Sequence, residues 1–432
     1  MLPTRLAAAL LVLPALAGPP VPTQPVPDEP LALIEASREA ASRRDDARAL
    51  DLLARAARFL PFDPRVPYDR AKLLARAGRD AEALVALREA FERGGAGRAP
   101  EEAAFATMKT RPEALRLFVE IADRNRPKGE ASVAFTVRQK DLLPEGIAHD
   151  PRSGAFFLSS LYRRKVVRVA PDGAATDFAG EARDGLWKTV GLKVDAARGR
   201  LWVMSGADDA AMARVEPEGV GRSGAFVYDL VTGALLRKSV LDGRPHFLND
   251  AAILPDGDAL VTDSEAGALL RVSGSDGAIS TVLPPRSLPY PNGVVATEDG
   301  RRALVAHAAG VALVDVATGS SREVRPCKGV ALVGLDGLAW SRGTLIAVQN
   351  GLFPDKVVRY RLSADLGSVQ SAEVLLRADP RFRIPTTAAV AGDDLYVVAN
   401  SHLDAFDSLG RPRGEGPTEP VVLKVPLGTG RP

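Results

Sequence analysis

Five polar residues stand where strand propensity argues against them, each opening a short apolar run. They are Glu145 in "PEGI", Asn249 and Asp250 in "LNDA", Asn292 in "PNGV" and Asp336 in "LDGL". Glu145 and Asp336 supply carboxylates, and Asn249 and Asn292 supply amides, so the four offer the oxygen ligands that suit a hard cation such as Ca²⁺. Two negative charges balance a divalent ion, two amide carbonyls add neutral oxygens, and water or a substrate completes the coordination of six to eight. Each residue also has a plainer reading, because Asn-Asp and Asn-Gly are common turn pairs and Glu145 suits an exposed loop. The cluster therefore requires a fold that brings these four openings together.

The elements around them supply such a fold. Six segments share one form, a short apolar strand, a turn rich in Asp and Gly, and a second apolar strand: "EGIAHDPRSGAFFLSS", "VGLKVDAARGRLWVMSG", "NDAAILPDGDALVTDS", "PNGVVATEDGRRALVAH", "LDGLAWSRGTLIAVQN" and "TTAAVAGDDLYVVANS". They begin at Glu145, Val190, Asn249, Pro291, Leu335 and Thr386, roughly the 40–50-residue spacing of propeller blades. Radial repetition protects sheet edges, and "ASVAFTV" at 131–137 is placed to close the ring against the last blade. A β-sandwich, the competing architecture, needs no such long repeats. In a propeller the first strand of each blade lines the central channel, so residues opening the repeats meet near one rim. The second and sixth repeats open with "VGL" and "TTA" and bring no amide or carboxylate.

Upstream the periodicity is helical. "DARALDLLARA" from Asp46 and "DAEALVALREA" from Asp80 lie 34 residues apart, the period of a tetratricopeptide helix pair. Alanines at the crossing points allow close approach, Leu50, Leu53, Leu84 and Leu87 are expected in the seam, and a third, degenerate pair is expected from Pro100 to Asn125. The expected fold class is mainly β: a six-bladed β-propeller at 131–432, preceded at 31–125 by a small all-α, tetratricopeptide-like domain. Residues 1–17 read as a signal peptide, with an early Arg, an apolar run too short to span a bilayer and an Ala-Leu-Ala cleavage signal; 18–30 is a Pro-rich linker. The expected location is exported, in a bacterial periplasm or extracellular, with no membrane span. A net charge of +2 from 56 basic and 54 acidic residues carries no nucleic-acid footprint. Cys327 is the sole cysteine, so intrachain disulfides and cysteine-rich zinc sites are excluded.

Other chemistry is missing from the sequence. The four histidines show no zinc-binding spacing on a helix, and neither a nucleophile elbow nor a Walker loop occurs. "GVGRSG" at 219–224 matches a dinucleotide fingerprint formally but precedes a strand, so it reads as a loop.

The strand openings, in this order, resemble the superfamily of senescence marker protein, gluconolactonase, luciferin-regenerating enzyme and paraoxonase, over about Ala131 to the C-terminus. The resemblance implies a six-bladed propeller with a divalent metal, Ca²⁺ foremost, at the channel mouth and hydrolysis of a small-molecule lactone or ester. It implies metal ligands at Glu145, Asn249, Asn292 and Asp336, with Asp336 doubling as the catalytic base. Asp250, second candidate for the base, resembles an Asp that holds a structural ion in the paraoxonase branch. "EGIAHD" and "LDGL" depart from the family's Glu-Gly-Pro and "PDGM" forms, which bears on substrate. Arg222, His246, Gln349 and Asn350 are expected to bind substrate at the mouth. The alternative is a non-catalytic secreted binding or scaffold protein, whose helical domain takes a protein or peptide partner. A strictosidine-synthase-like propeller, using a Glu and no metal, is a third reading.

Overall fold

A computed structural model of the chain describes residues 30–208, 214–243, 245–407, 411, 413–414 and 416–428. The expected signal peptide and nearly all of the Pro-rich linker lie outside the described residues. The chain divides into two compact units, one running to Arg126 with Arg325–Val333 and Gly351–Pro354, the other comprising Pro127–Val324, Gly334–Asn350 and Asp355–Pro432.

The first unit holds five α-helices among the described residues: α1 (Pro30–Ser42), α2 (Asp46–Phe59), α3 (Arg65–Arg76), α4 (Asp80–Glu92) and α5 (Pro112–Asn125). α1 packs on α2 and α3 on α4, as the 34-residue offset requires. The seam is built from alanines and leucines: Ala49, Leu52, Leu53 and Ala56 are buried on α2, and Ala83, Ala86, Leu87 and Ala90 on α4. Leu50 and Leu84 are only partly buried, because Leu52 turns inward in the first case and alanines carry the contact in the second. Between α2 and α3 the segment "LPFDP" at 60–64 ends one helix and anchors the next. Asp63 accepts the Arg65 amide at 2.8 Å and pairs with its guanidinium at 2.6 Å, both groups being buried. No third helix pair forms. Three short 3₁₀ turns (Ala99–Glu101, Ala103–Phe105, Thr107–Thr110) precede α5, whose Pro112 suits a first helical turn and cannot continue a helix from before it.

The second unit contains six four-stranded antiparallel sheets among the described residues. This is a six-bladed β-propeller, and blades 1 to 6 follow the repeats in order. Their inner strands are Ile147–His149, Lys188–Asp195, Leu248–Ile253, Val294–Ala296, Leu335–Ser341 and Ala388–Ala391. Each touches the inner strands of both neighbouring blades, and the first touches the last, so the six form a closed ring. The second and third strands of a blade are covered on both faces by adjoining blades, so they read as continuous apolar runs such as "ALVTD" and "ALLRV" in blade 3. Outermost strands are largely exposed, as in blade 4. In blade 6 the outermost strand is Ser132–Thr136, paired antiparallel with Val421–Pro426, so the two ends of the propeller chain share one sheet and no blade is left unpaired at the seam.

Candidate metal and substrate site at the channel mouth

The ring must be narrow for the blade openings to meet. A Cβ at Gly146 would overlap the carbonyl oxygen of Val190, and one at Gly293 would overlap that of Asp336. Glycine after Glu145 and after Asn292 thus lets each inner strand lie against the next blade's opening. Register makes the second adjustment. In blade 3, Leu248 pairs with Asp263 and Ala251 with Val261, so Asn249 and Asp250 together face Thr262. Blades 2 and 5 carry the same extra residue, at Val190-Gly191 and Asp336-Gly337. A bulge re-aims side chains and frees backbone groups from the ladder. The Thr262 hydroxyl takes up one of these, accepting the Asp250 amide at 3.0 Å, and donates to the Asn292 carbonyl at 2.7 Å. In blade 1 the Ser159 hydroxyl accepts the Gly146 amide at 2.7 Å. Low strand propensity is tolerated at these openings because they do not sit in a regular ladder.

Around the axis, Asp336 accepts from Asn292 Nδ2 at 2.8 Å on one oxygen and from Asn350 Nδ2 at 2.5 Å on the other. Asn350 also donates to the Pro385 carbonyl at 2.9 Å. Asn292 then turns its Oδ1 away from Asp336. That oxygen and Glu145 Oε2 are buried with no hydrogen-bond partner among the described residues. Glu145 is held from behind, its carbonyl accepting from the hydroxyls of Thr386 at 2.7 Å and Thr387 at 2.6 Å. So the "TTA" opening of blade 6, which lacks amide and carboxylate, still anchors the site.

The electrostatics follow from burial. Asp336 is pushed up to about 7, first by removal from water and further by Asp250, against the hydrogen bonds from Asn350 and Asn292. Burial raises Glu145 well above the usual carboxylate range, with the charges of Asp336 and Asp250 adding to it and Lys193 opposing. Lys193, on the inner strand of blade 2, places Nζ 3.0 Å from Asp250 Oδ1 and 3.3 Å from Oδ2. Asp250 Oδ2 also accepts the Val294 amide at 3.3 Å.

Glu145, Asn292, Asp336 and Asp250 therefore share one environment, with Asn350 and Lys193 as further members. Asn249 is buried beside them and gives its Nδ2 to Ser264 Oγ at 3.0 Å. Gln349 is buried at the end of its strand, opposite Leu335. His246 pairs through Nδ1 with Asp263 at 2.6 Å, and Arg222 is exposed ahead of Ser223–Asp229. Lys193 escaped the sequence reading, although a lysine inside "VGLKV" in a channel-lining strand was the available signal.

No group of three or more His, Cys, Asp and Glu side chains is arranged to hold a metal among the described residues. The donor set that fits a cation is two carboxylates supplemented by amide oxygens, and its two partnerless acceptors, Glu145 Oε2 and Asn292 Oδ1, suit a hard ion. Beside the first and sixth blades, an open cavity of about 570 Å³ holds the Tyr162 and Phe406 rings, stacked 4.6 Å apart, with Arg163 and Lys140.

No protein-family model matches the chain, and no curated protein matches it. Among solved structures it is similar to a gluconolactonase from Xanthomonas campestris at 16% identity and TM-score 0.47, covering 71% of this chain and 92% of that one. It is similar to a calcium-binding protein, regucalcin, from Agrobacterium tumefaciens at 20% identity and TM-score 0.47, covering 69% and 95%. A PQQ-bound aldose sugar dehydrogenase from Streptomyces coelicolor matches at 16% and 0.46, covering 69% and 99%. The likeness is one of fold: this chain's six-bladed propeller is similar to the folds of gluconolactonase and regucalcin.

Proposed function

We propose that this protein is a divalent-metal-dependent hydrolase of small lactones or esters, with its site at the channel mouth. The observation that carries the reading is the pair of buried, partnerless oxygens, Glu145 Oε2 and Asn292 Oδ1, grouped with the Asp336 carboxylate. Glu145, Asn292 and Asp336 would hold the ion, with Asn249 as fourth ligand, and oxygen donors of this kind favour Ca²⁺. When bound, such an ion supplies Lewis-acid polarisation of a carbonyl oxygen. The chain's own residues orient and charge the site. Asn350 and Asn292 fix the Asp336 carboxylate from both sides, and Lys193 fixes Asp250. Each oxygen of Asp336 and Asp250 is therefore engaged, which suits both to positioning and charge balance rather than to the base role the resemblance implies. The cavity at Tyr162 and Phe406 offers an aromatic wall beside the Asp141–Arg163 ion pair, fitted to a substrate's acyl or aryl part.

A second reading, a binding protein, draws on Leu115 and Val119, exposed one turn apart on α5. A screen of lactones and aryl esters with Ca²⁺ or with chelator decides between the two. Turnover that chelator abolishes and Ca²⁺ restores supports the hydrolase. Ca²⁺ binding by calorimetry with no turnover in any arm supports the binding protein, and hydrolysis indifferent to chelator refutes metal dependence.

A further inference from the structure

We propose that His246, held by Asp263, is the proton-transfer residue at this mouth, an inference that rests on the hydrolase reading. His246 Nδ1 lies 2.6 Å from Asp263 Oδ2. Asp263 ends the second strand of blade 3 and is fully buried, and its other oxygen accepts the Phe247 amide at 3.0 Å and the Ala266 amide at 3.2 Å. The carboxylate is thus fixed before the imidazole meets it. The histidine backbone is fixed too, its amide donating to the Gly221 carbonyl at 2.9 Å. With Nδ1–H given to a carboxylate, a neutral imidazole carries its lone pair on Nε2, the tautomer and orientation that make a base.

The position fits the role. Ser264, next to Asp263, accepts the Asn249 amide group at 3.0 Å and donates at 2.5 Å to the carbonyl of Pro291, which precedes Asn292. The residue that follows Asp263 thus reaches Asn249 and the backbone just ahead of Asn292. The state of the alternatives also points to His246. Asp336 is held on both oxygens by amides, and Asp250 by an ammonium and a backbone amide. His246 Nε2 has no protein partner among the described residues, and the side chain is 14% exposed, within reach of water.

In the reaction, Nε2 takes a proton from water as the water oxygen bonds to the carbonyl carbon. The imidazolium then returns that proton to the leaving alkoxide oxygen as its C–O bond breaks. Water is consumed, the histidine ends neutral, and Asp263 keeps its charge throughout.

The test uses the full chain loaded with Ca²⁺ and a lactone or aryl acetate that the wild type hydrolyses. His246→Gln is expected to lower kcat by about 100-fold or more, the range for loss of a general base, while Ca²⁺ affinity by calorimetry stays within threefold. Asp263→Asn is expected to lower kcat comparably and to move the ¹⁵N imidazole signals away from the Nδ1–H tautomer. Imidazole added to His246→Gly is expected to restore turnover in proportion to its concentration, a rescue that a loop anchor would not show. A His246→Gln kcat within threefold of wild type, with chelator still abolishing activity, overturns the histidine assignment and leaves the hydrolase reading standing. A wild type inert to every substrate removes both.

Discussion

The Asp336 carboxylate gives the site a stability signature of unusual sign. In the metal-free folded chain its pKa is pushed from an ordinary 3.8 to about 7, mainly by burial. The folded state then binds the proton more tightly than the unfolded one. Below about pH 3.8 both states are protonated and the group costs nothing. As pH rises towards 7 the unfolded chain ionises first, and stability falls by roughly 1.4 kcal/mol per pH step, reaching about 4 kcal/mol above pH 7. Asp336→Asn removes that cost but leaves one of the two amide donors, Asn292 or Asn350, without an acceptor, at roughly 1–2 kcal/mol. Without metal, the variant is expected to be more stable than wild type by about 2–3 kcal/mol at pH 8 and no more stable at pH 4. Trp187, Trp202 and Trp340, all of the tryptophans, lie in the propeller, so intrinsic fluorescence during urea titration reports on that unit. Saturating Ca²⁺ should reverse the order at pH 8, since 1,000-fold excess over Kd adds about 4.1 kcal/mol to the form that binds. A metal-free Asp336→Asn less stable than wild type at pH 8, or equal stabilisation of both by Ca²⁺, refutes the argument.

Two further perturbations probe how the site is held. Gly146→Ala places a methyl against the Val190 carbonyl inside the ring, and overpacking of this kind costs roughly 1–3 kcal/mol; an unchanged urea midpoint would show the ring is not closely packed there. Lys193→Met leaves Asp250 buried and unpaired at roughly 2–4 kcal/mol, with Lys193 itself partly exposed, and Lys193→Met with Asp250→Asn should recover most of the loss. Equal losses in the single and the double variant would mean that packing of the lysine stem, rather than the ion pair, is what the substitution removes.

Much of the fold was legible because its signals are local. A strand–turn–strand unit repeated six times needs only propensity and turn chemistry, and the 34-residue helical offset needs only a period. The failed third helix pair shows the limit. Residues 99–110 have the composition of a helix, yet they fold as 3₁₀ turns ahead of a proline-started α5. The candidate site was proposed from strand openings, of which the structure brings Glu145, Asn292 and Asp336 into one environment. What the sequence hid is relational. The bulges at Asn249-Asp250 and Asp336-Gly337 exist only against Thr262 and Val348 on the next strand. Asn350 was visible as a polar residue near the mouth, but its engagement with Asp336 depends on a contact across a strand pair. Lys193 was invisible as a partner because Asp250 lies 57 residues away.

The contrast between Asp250 and Glu145 carries the last step. Both are buried carboxylates at blade openings, of the third and first blades, so both face a desolvation cost. For Asp250 the fold supplies an ammonium and a backbone amide, and the charge is answered within the chain. For Glu145 the Thr386 and Thr387 hydroxyls reach the backbone carbonyl, Oε2 has no partner among the described residues, and the repulsion of Asp336 and Asp250 adds to the cost that Lys193 only opposes. The Asn292 amide nitrogen is spent on Asp336, and Asn292 Oδ1 is a second buried oxygen without a partner among the described residues. Each unsatisfied buried acceptor costs roughly 1–3 kcal/mol, and packing or a second lysine would have removed that cost. A proton on Glu145 would relieve its charge but could not satisfy both that carboxyl and Asn292 Oδ1 together with Asp336. A single cation that takes several oxygens at once would relieve all three, which is the argument for the proposed ion over an imperfect core.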